Sequence, residues 1–311
     1  MTKRNYKGTI LRSTGSWYSV LSEDGELVDC RLKGVFRIKG IRATNPIAVG
    51  DHVLVEHTDE EPTANIIGID ERKNHLIRKS VNLSKATHII AANIDQMVLI
   101  ASLEKPRTST GFIDRLLVTA EAYHIPAMLV FNKHDLYDEK LLKQLAYLMD
   151  VYQSLGYPCL TTSVVDELNL DSLKEAMVGK VSLLSGHSGV GKSALINKID
   201  PSLDLRTGII STAHDKGMHT TTFAEMFPLT EGGGVIDTPG IKEFGLVEFE
   251  KTELAQRFPE YRELMHDCKF NNCIHLDEPG CAVKAALEAG IIEPFRYNNY
   301  LNMLQELISG R

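Results

Sequence analysis

The sequence predicts a multidomain chain: an N-terminal all-β barrel of OB-like design, a central α/β domain and a C-terminal, mainly helical domain. Three observations carry this reading. Residues 1–70 show short alternating runs separated by turn signals, residues 75–245 alternate strand and helix patterns, and residues 246–311 turn helical around a cluster of cysteines. The 311 residues are enough for two or three compact domains. Their 43% hydrophobic and 24% charged composition is that of a folded soluble chain, which excludes a disordered one.

The barrel rests on the runs Trp17–Leu21, Glu26–Leu32, His52–Glu56 and Ile66–Ile69, with turns at Asp24-Gly25, Asn45-Pro46 and Gly50-Asp51. Five or so short strands in seventy residues fit a small closed barrel. Residues 1–50 carry nine basic and four acidic side chains, so a head of +5 sits on a remainder of −12 within a chain of net charge −7. Such a head suits a local anionic partner. Arg31, Lys33, Arg37, Lys39 and Arg42 with Phe36 among them pair basic charge with an aromatic ring, the combination that holds RNA backbone and stacks a base. A solvated loop beside a core phenylalanine is the competing reading.

In the central segment, strand-like Gln96–Ala101 leads to a helix over Phe112–His124, a strand at Ala127–Phe131 and a helix over Glu139–Leu155. Strand Pro158–Thr162, helix Leu170–Met177, strand Val181–Ser185 and a helix from about Lys192 continue the pattern. This βαβ rhythm implies a mostly parallel sheet with helices on both faces. No apolar run approaches the roughly 18 residues of a membrane span, and the N-terminus has no apolar stretch behind its charges. Five cysteines, an odd number, argue against a secreted disulfide scaffold. A cytoplasmic protein with no membrane partner is expected.

Four motifs carry the chemistry. Gly186-His187-Ser188-Gly189-Val190-Gly191-Lys192-Ser193 is a G-x-x-x-x-G-K-[ST] loop between a strand and a helix, with Ala194 behind it. Its glycines let backbone N–H groups turn inward around phosphate oxygens. Lys192 would sit at the β/γ-phosphates and Ser193 would ligate Mg²⁺, with the helix N-terminus facing the anion. Asn132-Lys133-His134-Asp135 ends the strand Ala127–Phe131, and the Asp135 carboxylate can accept from guanine N1–H and the 2-amino group. Thr162-Ser163-Val164 matches the loop that finishes a guanine pocket, making Ser163 a further contact. Asp237-Thr238-Pro239-Gly240 follows an apolar strand, as expected for a Mg²⁺-shell Asp237 and a γ-phosphate-sensing Gly240. A threonine of the run Thr220–Thr222, taken as Thr221, would complete the Mg²⁺ shell. The cofactors predicted are therefore GTP or GDP with Mg²⁺.

The order of these motifs is unusual. A Ras-like GTPase runs phosphate loop, switch threonine, D-x-x-G, N-K-x-D and serine loop, whereas here Asn132–Asp135 and Ser163 precede Gly186–Ser193. The same sheet assembles if the chain is cut elsewhere and the old ends are joined. A circularly permuted GTPase domain is predicted over 75–245, between a barrel at 1–70 and a C-terminal domain at 246–311. The position after Gly240 is Ile241, which cannot hydrogen-bond to the attacking water as a glutamine there would. His219 beside the threonine run is the catalytic candidate for positioning that water, against the alternative of an ordinary loop histidine.

In the last segment, Cys268, Cys273, His275 and Cys281 offer three thiolates and an imidazole, a closed tetrahedral set for one structural Zn²⁺. Cys30 and Cys159 fall in strand patterns and are expected in cores.

Barrel, permuted nucleotide domain and Cys-x4-Cys-x-His-x5-Cys segment together resemble the ribosome small-subunit-dependent GTPases, the RsgA/YjeQ family, over nearly the whole chain. The resemblance implies slow GTP hydrolysis stimulated by the small (30S) ribosomal subunit late in its maturation. It also implies binding of that subunit and its rRNA near the decoding region, and help in releasing assembly factors. A monomer is expected. The family's histidine before a threonine run supports His219. At His187 many relatives carry other polar residues, a departure expected to leave the backbone cradle unaffected. Two competing functions are a P-loop kinase or ATPase, which Asp135 opposes, and a GTP-dependent RNA-binding scaffold with little turnover, which the set Lys192, Ser193 and Asp237 opposes.

Overall fold

The computed structural model describes residues 3–33, 46–58, 61–79, 87–203, 205, 224–237 and 250–309. Along the chain they form β1 (Lys3–Ser13), β2 (Tyr18–Ser22), β3 (Leu27–Leu32), β4 (His52–Thr58), β5 (Ala64–Ile69), β6 (His75–Lys79) and β7 (Thr87–Ala92). Next come β8 (Gln96–Ala101), α1 (Thr110–Ala122), β9 (Ala127–Phe131), α2 (Glu139–Ser154), β10 (Cys159–Thr161), α3 (Leu170–Met177) and β11 (Val181–Ser185). The remainder are α4 (Lys192–Ile199), β12 (Glu225–Pro228), β13 (Gly234–Asp237), α5 (Lys251–Ala255), α6 (Pro259–Arg262), α7 (Ala282–Glu288) and α8 (Pro294–Ser309). Two compact units result: Met1–Met97 with Asp171–Ser185 and Lys192–Ile241, and Val98–Leu170 with Gly186–Gly191 and Lys242–Arg311.

In the first unit a five-stranded barrel closes through one long strand. The N-terminal half of β1 pairs with β4, from Lys3–Thr58 to Thr9–His52, and its C-terminal half pairs with β2, from Gly8–Ser22 to Ser13–Tyr18. A bulge between Ile10 and Arg12 accompanies the change of partner. The order β1-β2-β3-β5-β4 then returns to β1, which is the OB-like arrangement. Alternate residues, among them Ile10, Tyr18, Val20, Cys30, Val53, Val55 and Ile66, fill the interior. Gly8 is required by close approach: a Cβ there would lie 2.6 Å from Val20 Cγ1 and 2.7 Å from the Leu21 carbonyl oxygen. Arg72 anchors the barrel's exit, its Nε and Nη2 each donating to the fully buried Asp51 carboxylate at 2.6 Å and Nη2 also to the Pro46 carbonyl at 2.7 Å. In the same unit β12 runs antiparallel to β13, and β13 runs parallel to β11 with Leu184 opposite Asp237.

β1 and the β6–β7 hairpin are strands that the alternating runs did not disclose. The first half of β1 is polar and exposed, and Gly8 interrupts it in the manner of a turn. The C-terminal boundary of α1 lies at Ala122, because His124 takes a positive φ of 54°.

The second unit holds the strand order β10-β9-β8, with β10 parallel to β9. Ser109 caps α1, its side chain accepting from the Phe112 N–H, and Asp138 caps α2 in the same way toward Leu141. The C-terminal helices share a core of Leu254, Phe258, Tyr261, Val283, Tyr300 and Met303. They are keyed to α1 by a buried polar network. Arg296 of α8 donates to Asp114 of α1 at 2.6 Å and to both Glu260 oxygens at 2.7 and 3.0 Å. Asn299 and Tyr152 also donate to Asp114, at 2.6 and 2.8 Å. Every member finds a partner, as buried charge requires.

Candidate functional site

The apolar strand β9 buries its last four residues and delivers Asn132, 2% exposed, at its end. All four polar groups of Asn132 are engaged. Its N–H donates to the Ala101 carbonyl (2.8 Å), its Nδ2 donates to the Val190 carbonyl (2.9 Å), and its Oδ1 accepts from Thr162 Oγ1 (3.0 Å). Its own carbonyl accepts from the Tyr137 hydroxyl at 2.6 Å. The Tyr137 oxygen also accepts from the Leu103 N–H (3.0 Å) and lies 3.3 Å from Ser102 Oγ. Burial pushes the Tyr137 phenol up, keeping it a neutral donor.

Lys133 takes the left-handed conformation (φ 64°). Its Nζ donates to the Gly189 carbonyl at 2.7 Å and also to the Lys105 carbonyl. His134 and Asp135 then enter a short 3-10 turn, with the His134 N–H donating to the Thr162 carbonyl at 3.1 Å. Ser163, fully buried, donates from Oγ to Asp135 Oδ1 (2.8 Å) and accepts from the Asp166 N–H (3.0 Å). The loop thus fixes a carboxylate at a strand end, where its remaining lone pairs can meet a base edge.

The phosphate-type loop leaves β11 at Gly186, whose φ of 143° and close approach both exclude a side chain: a Cβ would lie 2.2 Å from the Ile100 carbonyl oxygen. Gly191 (φ 104°) is as constrained, because a Cβ there would come within 2.4 Å of Asn132 Nδ2. Between them, Gly189 has a φ of 77°, Ser188 is exposed, and Val190 is buried. His187 stacks on Phe112, with ring centroids 3.7 Å apart and planes at 23°. Lys192 and Ser193 open α4 and are buried, followed by half-buried Ala194. Asp237, also buried, ends β13. Gly240, Ile241, His219 and Thr220–Thr222 lie outside the described residues, as do Phe36, Arg37, Lys39 and Arg42.

On the barrel, Lys33 pairs with Glu56, and Arg31 places its guanidinium 3.8 Å above the Trp17 ring. Trp17 is 37% exposed. Sequence reasoning did not single out Trp17; the signal for it is its place one residue before the Tyr18–Cys30 register pair, which puts it across from Arg31. Tyr137 was missed as a support of Asn132 because nothing in its own sequence neighbourhood announces the contact, whereas Thr162 lies in the motif Thr162-Ser163-Val164 and its bond to Asn132 adds to that reading.

The ligand atoms of Cys268, Cys273, His275 and Cys281 lie within 4.8 Å of one another. His275 Nδ1 stands 3.3 Å from Cys281 Sγ and 3.8 Å from Cys268 Sγ, while buried Nε2 has no hydrogen-bond partner. Burial pushes the Cys273 thiol up to about 12 and the His275 imidazole down. A dication reverses that balance by stabilising thiolates, and this soft S₃N donor set fits Zn²⁺. The surrounding backbone is pinned: Glu278 accepts from the N–H groups of Ile274 and Leu276 at 2.9 Å. Tyr297 and Tyr300 donate to the His275 and Ile274 carbonyls at 2.7 Å. The Lys284 N–H points at Cys281 Sγ (3.4 Å), a donor suited to a thiolate at the start of α7.

Residues 7–64 match the family model described as RsgA N-terminal domain, and residues 69–247 match RsgA GTPase. A small ribosomal subunit biogenesis GTPase RsgA from Flavobacterium johnsoniae is 56% identical over 300 residues, covering 96% of this chain and 92% of that protein. One of the same description from Christiangramia forsetii is 54% identical, covering 96% of each. Among solved structures, YjeQ from Thermotoga maritima aligns at a TM-score of 0.81 with 36% identity, covering 99% of this chain and 100% of that one. YloQ, described as a circularly permuted GTPase, aligns at 0.77 with 31% identity, covering 99% and 96%.

Proposed function

The chain belongs to the RsgA GTPase family, is a circularly permuted GTP hydrolase and acts in small ribosomal subunit biogenesis, and from that premise we propose a residue-level division of labour. Asp135 reads guanine N1–H and the 2-amino group, Asn132 and Ser163 hold that loop in place, and the stem of Lys133 covers the base. The backbone of residues 186–194 cradles the phosphates, with Lys192 at the β/γ-oxygens. Ser193, Asp237 and Thr221 would hold Mg²⁺, which when bound neutralises charge across the β- and γ-phosphates. Gly240 senses the γ-phosphate. The observation that carries this reading is the Asn132 Nδ2 to Val190 bond of 2.9 Å, which joins base loop to phosphate loop although the sequence presents them in permuted order.

Because Ile241 is apolar, His219 positions the attacking water, accepting a hydrogen bond from it as a neutral imidazole. GTP turnover measured with and without small subunits tests the assignment. Wild type should be slow alone and faster with subunits, and His219→Ala should bind GTP but lose stimulated turnover by about 10²-fold. Stimulated turnover within twofold of wild type would remove His219 from the reaction. Equal turnover with and without subunits would favour a scaffold that merely loads GTP.

Cys268, Cys273, His275 and Cys281 hold one structural Zn²⁺. The barrel contacts rRNA of the small subunit through Arg31 and Lys33 together with Phe36, Arg37, Lys39 and Arg42, and the exposed Arg31–Trp17 stack supports this face. Neutralising Lys33, Arg37 and Lys39 together should weaken subunit binding and flatten its salt dependence by roughly one unit of slope per lost phosphate contact; an unchanged affinity and slope would make the patch a solvated surface. The protein works as a cytoplasmic monomer near the decoding region and helps assembly factors leave. Among the described residues no helix is long and apolar enough to cross a membrane.

A further inference from the structure

We propose that the stack of His187 on Phe112 is a positioning device for the phosphate loop, and that it makes the loop's hold on nucleotide depend on helix α8. The proposal rests on reading residues 186–194 as the phosphate loop. That loop contains three glycines at positive φ, so its backbone has more freedom to lose on binding than any ordinary turn. A contact that holds the loop in shape beforehand lowers the cost of binding. His187 supplies one. Its ring lies flat on Phe112, 3.7 Å between centroids, and Phe112 sits in the first turn of α1 with its N–H capped by Ser109 Oγ at 3.2 Å.

The N-terminal part of α1 is itself held from α8. Asn299 donates to Asp114 at 2.6 Å, and its Oδ1 lies 3.3 Å from where a Cβ on Gly111 would stand. Gly111 therefore lets α8 sit against the residue next to Phe112. A cavity of about 810 Å³ opens beside the pair, lined by Ser109, Phe112, Arg115, His187, Asn302 and Glu306. Substitution at His187 is thus a change at a cavity wall rather than in a closed core.

Release of fluorescently labelled GDP and GTP from the full chain tests the proposal. A stacked aromatic pair adds enough stabilisation that His187→Ala should speed release about three- to tenfold. His187→Phe, which keeps a ring, should restore wild-type release, and His187→Gln, polar without a ring, should behave like the alanine variant. Phe112→Ala should match His187→Ala, and the double variant should be no faster than either single one. Asn299→Ala should speed release in the wild-type background and leave it unchanged in His187→Ala. Thermal melting of each variant separates this from general destabilisation, since loss of one stack at a cavity wall should lower the melting of His187→Ala by only about a few degrees and leave its cooperativity intact. Release within twofold of wild type for His187→Ala, no restoration by phenylalanine, or an equal Asn299→Ala effect in both backgrounds would overturn the proposal. Lys192→Ala serves as the control: undiminished GDP binding there would overturn the phosphate-loop reading itself. Lost binding there, with neutral His187→Ala, would overturn the positioning role alone.

Discussion

The loops around Asn132 and the cluster around His275 solve opposite problems. At Asn132 every polar group meets a protein partner, and the base loop is joined to the phosphate loop by the neutral Asn132 Nδ2–Val190 bond and by the Lys133 ammonium on the Gly189 carbonyl. At His275 three sulfurs and an imidazole crowd within 4.8 Å, one ring nitrogen is buried without a partner, and burial raises the Cys273 thiol to about 12. The first arrangement is complete in itself and waits for a ligand. In the second, a cation held by the sulfurs and Nδ1 would stabilise the thiolates, and its binding energy would become folding energy. A site of the first kind should keep its shape when emptied, and one of the second kind should not.

The sharpest way to break this contrast is to withdraw the metal. Structural zinc is worth roughly 10–16 kcal/mol in small modules, so a strong chelator or Cys273→Ser should melt the segment around residues 265–290 while GDP binding persists. Metal analysis should give one zinc per chain, and hydrogen exchange should localise the melting. Absence of zinc in protein purified without chelators, or collapse of GDP binding in step with metal loss, would end the distinction. The Arg296–Asp114 network should keep α8 on α1 even then, so exchange protection at residues 294–305 is expected to outlast that of the cluster.

The next largest effect belongs to Asp135. Asp135→Asn exchanges an acceptor for a donor, so preference should move from guanine to xanthine nucleotides by on the order of 10⁴, the discrimination that an unpaired buried polar group produces. Because Ser163 donates to Asp135 and can accept from an amide instead, the loop should hold its shape. Unaltered guanine selectivity would place the base elsewhere.

Tyr137→Phe should have the smallest effect and test the preformed character most directly. It removes one hydroxyl, leaving the Asn132 carbonyl and Leu103 N–H without their bond. A loss of about 1–2 kcal/mol, seen as roughly tenfold faster GDP release, is expected. If release is unchanged, Asn132 is held well enough by Ala101, Thr162 and Val190 without the Tyr137 hydroxyl.

The legible parts of this protein were those where chemistry is written locally. Gly186, Gly189 and Gly191, Asp135, and the spacing of Cys268 to Cys281 each declare a backbone shape or donor set within a few residues. Strands β2, β4, β8, β9 and β11 were readable because burial forces either alternation or an apolar run. What stayed hidden acts through contacts between distant segments. β1 looks polar because half of it faces solvent, and its two partners follow from barrel closure. Tyr137 reads as an ordinary residue after a turn, and Trp17 as one more strand aromatic. His187, expected to be indifferent, lies against Phe112, 75 positions earlier in the chain.

The fit of Asn132 into the space left by Gly191 bears on how such a chain can change over generations. Any side chain at 191 would collide with the Asn132 amide, and a replacement at 132 would take away the bonds that the Val190 carbonyl and the Thr162 hydroxyl make to that amide. Neither position offers a single mutational step that the other tolerates. Cutting the chain and rejoining its ends reverses the order of the two loops but leaves this contact untouched. Lineages descended from this sequence should therefore reshuffle connections and lengthen surface segments freely, while 132 and 191 are inherited as a pair.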